Sequence, residues 1–171
     1  YAAPDEFSNL IQGIGGEGLN AFTAYDVTCY MNSFPSYQME RWLTLYADRL
    51  TNPVFRSFQA ELENVFEEYN MYLDDNSTHT RNFIFGKLYE GHAYARDIIG
   101  YPEDLKNPKM RQLIDFYNTW YVPNNMALIL VGDFDTEAAK PLIEKTFGKL
   151  QARSLPQRTQ YPTTAFSQDE R

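Results

Sequence analysis

ELENVFEE, residues 61–68, lies inside a run of helical periodicity that extends from about Val54 to Leu73. Successive residues of an α-helix are about 100° apart around its axis. The apolar and aromatic side chains of the run then share one arc of roughly 120°; they are Phe58, Leu62, Val65, Phe66, Tyr69, Tyr72 and Leu73. The stretch therefore predicts a long helix that buries one stripe against the rest of the fold.

The four acids of this stretch divide into two pairs. Glu61 and Glu68 lie about 20° apart on one edge of the stripe, whereas Glu63 and Glu67 face solvent. A carboxylate beside a core needs a cation, a metal ion or hydrogen-bond donors. Periodicity alone favours a structural role for Glu61 and Glu68, because acids at the edge of a stripe often meet an arginine or a lysine. A functional site is the alternative.

The residues before this helix predict a helix, a turn, a strand and a second helix. Residues 4–12 have helical spacing, and the glycine-rich residues 13–18 end that helix. Residues 20–34 are rich in β-branched and aromatic side chains, which predicts a strand, and the length of the run predicts a bend or bulge within it. Ser36 is the predicted N-cap of a helix through about Leu50.

The residues after residue 73 predict further helices and one strand. The strand is Met126–Phe134, and the helices cover residues 79–90, 103–121 and 136–150. Residues 151–171 are rich in Gln, Arg, Ser, Pro and Thr, which is typical of a linker. The predicted organisation is therefore a domain over residues 1–150 and a polar linker or tail over residues 151–171.

The fold class that these elements predict is α+β. Two strands among five or six helices are too few for a sheet of ordinary size. Either weak segments contain further strands, or the partner strands belong to a portion of the protein that precedes these residues. The chain starts at Tyr1 with no initiator methionine and no charged-then-apolar leader, so we interpret it as a piece of a longer polypeptide.

The composition narrows the class of protein. The 171 residues include 15 Lys+Arg and 23 Asp+Glu, and the formal net charge of -8 argues against nucleic-acid binding, which needs clustered basic residues. No apolar run approaches the roughly 18 residues of a membrane-spanning helix. The single cysteine, Cys29, excludes an internal disulfide framework and a cysteine-rich zinc site.

Two other patterns give weaker evidence of a functional site. Gly13-x-Gly15-x-x-Gly18 matches the spacing of a dinucleotide-binding loop, but that loop follows a strand and precedes a helix, which is the reverse of the order predicted here. We interpret it as a turn. His79 and His92 have no second histidine three or four residues away, so neither forms the ligand pair of a helical zinc site, and both are expected at surface or half-buried helix positions.

Four stretches of the chain, in order, carry a family resemblance. They are the glycine-rich turn into Asn20-Ala21-Phe22-Thr23 with Thr28 and Tyr30; Glu61-x-x-x-Val65-x-x-Glu68; Gly91-His92-x-Tyr94 followed by Gly100; and Tyr121-x-Pro123-x-Asn125-Met126 running to Gly132-Asp133-Phe134. Together they resemble the M16 family of zinc metallopeptidases, the group of pitrilysin, insulin-degrading enzyme and the mitochondrial processing peptidase. The resemblance covers nearly everything from Gly13 to about Leu150.

This resemblance implies an M16-like half-domain, an antiparallel sheet packed by several helices, with its N-terminal strands and catalytic helix missing. In this family a His-x-x-Glu-His helix supplies two zinc ligands and the general base, and a later glutamate is the third ligand. By position, Glu68 is that third ligand. Glu61 corresponds to a glutamate that supports the metal ligands without binding the metal itself. Asn20 and Ala21 would hold the substrate backbone by β-strand addition.

One departure from the family pattern bears on activity. His-x-x-Glu-His occurs nowhere in residues 1–171, so the chain carries a single expected zinc ligand and no general base. The resemblance implies zinc in the intact parent. Because the motif is missing, the isolated piece is expected neither to hold zinc tightly nor to cleave peptides. The implied partners are a peptide substrate and a second homologous M16 half, in the same chain or in a partner subunit.

Two other functions stay open. One is a non-catalytic M16-like subunit that binds peptides or a partner half, and the other is an interaction domain that needs only the fold. The presence of both Glu61 and Glu68 favours a catalytic parent, because a subunit without metal has no evident use for two acids beside a core. The style of the resemblance suggests the bacterial periplasm or cell envelope.

Overall fold

The computed structural model describes residues 6–161. In chain order the elements are α1 (Glu6–Gly13), β1 (Glu17–Thr23), β2 (Thr28–Ser33), α2 (Met39–Thr51), α3 (Phe58–Leu73), α4 (Asn76–Leu88), α5 (Pro102–Lys106), α6 (Met110–Trp120) and α7 (Thr136–Thr146). Short 3-10 turns lie at Ser36–Gln38, Ala93–Ala95, Pro123–Asn125 and Phe147–Lys149. The predicted α+β class is confirmed. Among the helices described, none has the length and apolar character needed to cross a membrane.

These residues fall into two compact units. Unit 1 contains residues 6–23, 27–57 and 109–156. Unit 2 contains residues 24–26, 58–108 and 157–161. Unit 1 therefore holds β1, β2, α1, α2, α6 and α7, whereas unit 2 holds α3, α4 and α5.

The buried core of unit 1 is built from α1, α2 and α7. Ile11 of α1 and Leu43 of α2 are fully buried, and Ala139 of α7 is 3% exposed. Trp42 stacks on Phe34 with ring centroids 4.6 Å apart. The buried residues of α2 recur three and four positions apart, which is the spacing of one helix face; they are Met39, Trp42, Leu43, Tyr46 and Ala47.

Residues 20–34 form most of a hairpin, not the single strand that the sequence predicts. β1 and β2 pair antiparallel, with Thr23 opposite Thr28, and residues 24–27 make the turn. The turn contains neither glycine nor proline, the residues that most strongly mark a turn in a sequence. The length of the run predicts a bend or bulge within it, and the structure has a complete reversal of the chain there.

A β-bulge lies near the start of β1. The register shifts after Glu17, so that Gly18 and Leu19 lie opposite the single residue Asn32 of β2. Gly18 has φ +62°, in the left-handed region that favours glycine. The glycine-rich residues 13–18 thus follow a helix and lead into a strand, which is the order that excludes a dinucleotide-binding loop.

The predicted strand at Met126–Phe134 is wrong. Leu128 and Leu130 are half-buried against the core of unit 1, while Ile129 and Val131 are 77% and 92% exposed. The alternation that suggested a strand is therefore present. However, within residues 6–161 only β1 and β2 pair as strands, and a strand needs a neighbour for its ladder of hydrogen bonds.

The remaining predicted helices exist with different ends. The helix predicted over residues 103–121 is interrupted between α5 and α6, where Pro108 disfavours helical backbone at the preceding Asn107. The predicted cap at Ser36 is wrong, because α2 begins after a 3-10 turn and its N-cap, Gln38, makes no side-chain cap bond. Residues 151–161 contain no helix or strand, and the rest of the predicted tail lies outside the described residues.

In unit 2, Asp75 caps the start of α4. Its carboxylate accepts hydrogen bonds from the backbone N–H groups of Ser77 at 3.1 Å and Thr78 at 3.2 Å. The Ser77 hydroxyl also donates to it at 2.7 Å. These bonds, those of the Ser77 and Thr78 hydroxyls most of all, hold the pKa of Asp75 at about 2.

Candidate functional site

The predicted stripe of α3 is present but is not a buried core. Leu62, Val65, Phe66 and Tyr69 are half-buried, and no residue of α3 is fully buried. Tyr72 and Leu73, at the end of the stripe, are 42% and 45% exposed. The expectation that the acids of α3 border a buried core is therefore wrong for the part of the chain that the structure describes.

Glu68 is exposed on α3 and has one hydrogen-bond partner on the same helix. The hydroxyl of Tyr72, one turn later, donates to Glu68 Oε1 at 3.2 Å. The bond to this carboxylate raises the pKa of Tyr72, because losing the hydroxyl proton would break it and place two negative charges side by side. Within residues 6–161, no arginine or lysine forms an ion pair with Glu68. The ion pair that a structural role of Glu68 predicts is therefore absent from those residues.

Glu61 is also exposed, two helical turns before Glu68. In residues 6–161 it makes no hydrogen bond or ion pair. The two glutamates thus present exposed negative charge along one edge of α3.

The two histidines of the chain are both engaged in local backbone contacts. His79 Nε2 lies 2.7 Å from the carbonyl oxygen of Leu73, and His79 is exposed on α4, as expected. His92 is half-buried, but it precedes a 3-10 turn instead of lying in a helix, and its Nδ1 accepts from the Tyr94 N–H at 3.0 Å. Across residues 6–161, no three His, Cys, Asp or Glu side chains are grouped to hold a metal ion.

The Gly91-His92-x-Tyr94 stretch organises the hairpin turn within unit 2. The Tyr94 hydroxyl donates a hydrogen bond to the carboxylate of Asp26, and this bond raises the pKa of Tyr94. The Tyr94 ring stacks on Tyr25, with centroids 4.7 Å apart. This stretch therefore has a structural role that its sequence alone did not reveal.

Asn20 and Ala21 lie on β1 in unit 1, with both side chains exposed. Asn20 pairs with Met31 across the hairpin and Ala21 pairs with Tyr30. The backbone N–H of Ala21 donates to Oδ1 of Asn20 at 2.8 Å. Among residues 6–161, β2 is the sole strand that pairs with β1, so one edge of β1 is open.

Sequence reasoning missed Asn32, the residue that fixes the hairpin to the core of unit 1. Its Oδ1 accepts a hydrogen bond from Trp42 Nε1 at 3.0 Å and another from the Tyr46 hydroxyl at 2.7 Å. The alternation in residues 25–32 places Asn32 on a polar face, whereas it is half-buried and faces α2. The hydrogen bonds from Trp42 and Tyr46 satisfy its amide oxygen on the side that faces α2.

Comparison with known families finds one family across most of the chain. Residues 1–101 match the family described as "Insulinase (Peptidase family M16)". Residues 109–170 match the family described as "Peptidase M16 inactive domain".

Curated relatives with this similarity are named as zinc proteases. The chain is 30% identical over 158 residues to the probable zinc protease PqqL of Escherichia coli, covering 88% of this chain and 17% of that protein. It is 34% identical over 137 residues to the uncharacterized zinc protease YmfH of Bacillus subtilis, covering 78% of this chain and 32% of that protein. The chain thus spans about a third or less of the length of these relatives.

Solved structures show the same fold. The first half of the periplasmic protease PqqL from Escherichia coli superposes with a TM-score of 0.82 at 26% identity, covering 95% of this chain and 36% of that one. A protease from Helicobacter pylori gives a TM-score of 0.79 at 26% identity, covering 89% of this chain and 38% of that one. The match of residues 1–101, supported by these relatives, shows that the chain belongs to peptidase family M16.

Proposed function

We propose that this chain is part of the N-terminal, peptide-cleaving half of a zinc-dependent metalloendopeptidase. The observation that carries the proposal is the match of residues 1–101 to the insulinase family, because that stretch contains both β1 and α3. The two curated relatives are named as zinc proteases, and the chain spans a third or less of each. The activity is therefore proposed for the intact protein and not for these residues alone.

Glu68 is the proposed zinc ligand of this chain. Its side chain is exposed, and the Tyr72 hydroxyl contacts only Oε1, so that the other carboxylate oxygen has lone pairs to offer. Glutamate is among the usual protein ligands of zinc, and a hydrogen bond that orients the carboxylate is a common accompaniment. Among residues 6–161 no arginine or lysine pairs with Glu68, which agrees with a carboxylate that is available to a metal ion.

Glu61 is the proposed supporting carboxylate. It lies about 10 Å before Glu68 along the axis of α3, since a helix rises about 1.5 Å per residue. A side chain at that distance does not bind the same ion as Glu68, but its charge favours a cationic centre and can orient another ligand.

The donor set of these residues does not complete a zinc site. Catalytic zinc takes three protein ligands, and no such group exists within residues 6–161. The His-x-x-Glu-His motif is absent from all 171 residues. We therefore propose that the 171-residue polypeptide alone neither holds zinc tightly nor cleaves peptides, and no step of hydrolysis through the metal is assigned to it.

Asn20 and Ala21 are the proposed substrate contacts. Within residues 6–161 one edge of β1 is open, and an open edge can pair with an extended peptide through backbone hydrogen bonds. Such pairing uses the main-chain groups of the peptide.

The proposed partner of the chain, besides a peptide substrate, is a second homologous M16 half. One solved relative is described as the first half of PqqL, which supports an organisation in halves. The same relative is described as periplasmic, and we propose a periplasmic or envelope location for this protein on that likeness.

The second candidate function is a non-catalytic M16-like subunit that binds peptides or a partner half. The observation that favours it is the match of residues 109–170 to a domain described as inactive. The two candidates differ in zinc content.

Zinc content, measured by elemental analysis, tests the proposed function. We expect about one zinc per chain in the intact protein, and little in the 171-residue polypeptide, because tight binding needs a full ligand set. Glu68→Gln in the intact protein should lose the metal and the peptidase activity. Glu67→Gln is the matched control, because it removes the neighbouring exposed carboxylate of the same helix. Zinc that survives Glu68→Gln contradicts the ligand assignment, and an intact protein without zinc favours the non-catalytic subunit.

A further inference from the structure

The pairing of the hairpin indicates which backbone groups of β1 face its open edge. The hydroxyl oxygens of Thr23 and Thr28, which are directly opposite each other, lie 3.3 Å apart. Such close side chains are typical of a non-hydrogen-bonded pair in an antiparallel ladder. The two kinds of pair alternate, so Ala21 and Tyr30, two positions along, form a pair of the same kind. The N–H and C=O of Ala21 consequently point away from β2, toward the open edge.

The Ala21 N–H already has a partner. It donates to the side-chain oxygen of Asn20 at 2.8 Å, the length of a good N–H···O bond. The oxygen of a side-chain amide is chemically equivalent to the backbone carbonyl that a neighbouring strand would offer. Asn20 therefore occupies the donor that an added strand would use.

The β-bulge and the hydrogen bonds of Asn32, which lies opposite it, hold the backbone before Asn20 in place. Gly18 and Leu19 bulge out immediately before Asn20, and bulges commonly redirect the side chains that flank them. Asn32, opposite the bulge, accepts hydrogen bonds from two side chains of α2. The part of β1 that precedes Asn20 is thus tied to the buried core, and the contact between Asn20 and Ala21 forms on a fixed backbone.

We propose that the Asn20 side chain takes the place of a substrate carbonyl. Its amide oxygen accepts the hydrogen bond of the Ala21 N–H until an extended peptide displaces it. The displaced amide group is then free to bond the peptide itself. This inference rests on the proposed function of β1 as a substrate-binding strand. It adds that the edge is closed at Ala21 when no substrate is bound, which also protects it from pairing with unrelated strands.

Amide hydrogen exchange measured by NMR on the ¹⁵N-labelled chain tests the internal bond without a substrate. We expect the Ala21 amide to exchange about five-fold faster in Asn20→Ala than in the wild type, after correction for intrinsic rates, since one net hydrogen bond is lost. Asn20→Asp keeps an acceptor oxygen and should retain the slow exchange. The Phe22 amide, which faces β2, should not change and shows that the hairpin persists. Equal Ala21 rates in the wild type and Asn20→Ala would overturn the proposal.

Titration with the peptide acetyl-Lys-(Thr-Val)₃-Lys-amide tests the displacement. We expect the Ala21 amide and the side-chain NH₂ signals of Asn20 to shift together, and a version of the peptide with alternate N-methylated amides to have little effect, because it cannot complete the ladder. A shift of Ala21 with no change at Asn20 overturns the displacement. If neither the wild type nor Asn20→Ala responds to the peptide while the exchange result holds, strand addition at β1 fails and the internal bond stands.

Discussion

α2 and α3 are both amphipathic helices, but their apolar faces meet different environments. α2 buries five residues of its 13, whereas α3, with 16 residues, has none that is fully buried. The face of α2 contacts α1 and α7 of the same unit, and the end of the α3 face stays exposed at Tyr72 and Leu73. The comparison teaches that helical periodicity identifies the face of a helix without showing what covers it.

The same contrast separates the two proposed functional elements. β1, which carries Asn20 and Ala21, is tied to a buried core through Asn32 on its partner strand. α3, which carries Glu61 and Glu68, is held by half-buried contacts alone within the described residues. Binding sites work best on rigid elements, so β1 is the better prepared of the two.

The largest effect that tests this contrast is expected at Leu43 of α2. Leu43→Ala removes a fully buried side chain and should lower the free energy of unfolding by about 3 kcal/mol, because it leaves a cavity. Leu62→Ala makes the same change on half-buried α3 and should cost about 1 kcal/mol. Urea unfolding of both variants gives the two values. Equal costs would show that α3 is packed as tightly as α2, and the contrast would be lost.

A smaller effect is expected at Asn32. Asn32→Leu leaves the Trp42 N–H and the Tyr46 hydroxyl without their acceptor and should cost about 2 kcal/mol, the usual penalty for unsatisfied buried donors. Asn32→Asp keeps an acceptor oxygen and is the control. Urea unfolding gives the cost, and Ala21 amide exchange shows whether β1 loosens with it. If Asn32→Leu is as stable as the wild type, the hairpin is held by other contacts.

The smallest effect concerns Asp75, at the start of α4 in unit 2. Its pKa of about 2 lies below its ordinary value of 3.8, so the charged carboxylate stabilises the folded state above about pH 4. That stabilisation is lost as the pH falls from about 4 to about 2. Exchange of the Ser77 and Thr78 amides should therefore accelerate in this range beyond the intrinsic rate. Asp75→Ala should abolish the extra acceleration and Asp74→Ala should not; identical profiles for the two variants would refute the cap.

The helices were largely predictable from the sequence, and the strands were not. A helix face repeats over many residues, so α2 and α3 were identified from pattern alone. The hairpin turn at residues 24–27 carries no glycine or proline, and the bulge at Gly18 depends on pairing with a distant segment. Residues 126–134 show the opposite error, because their alternation was real but the neighbour that makes a strand was not available in residues 6–161.

The candidate site was less predictable than the fold. Helix geometry separated Glu61 and Glu68 from Glu63 and Glu67, but the family resemblance, not the geometry, suggested a metal. The roles of the first two glutamates, of Asn20 and Ala21, and the division at residue 150 stay predictions. Asn32 was missed because a polar residue in an alternating segment is expected to face solvent. Its hydrogen-bond donors are the side chains of Trp42 and Tyr46, which are ten or more residues away.

The extended segment at residues 126–131 has a practical consequence for handling this polypeptide. Its sequence, MALILV, is six residues long, uncharged, and free of proline and glycine. Segments of that kind, when extended and unpaired, stack with copies of themselves into fibrils. Ile129 and Val131 are largely exposed, so apolar side chains of two such polypeptides can meet here. A lysine in place of Val131, whose side chain is 92% exposed, would keep the inward-facing leucines and make self-association at high concentration less favourable.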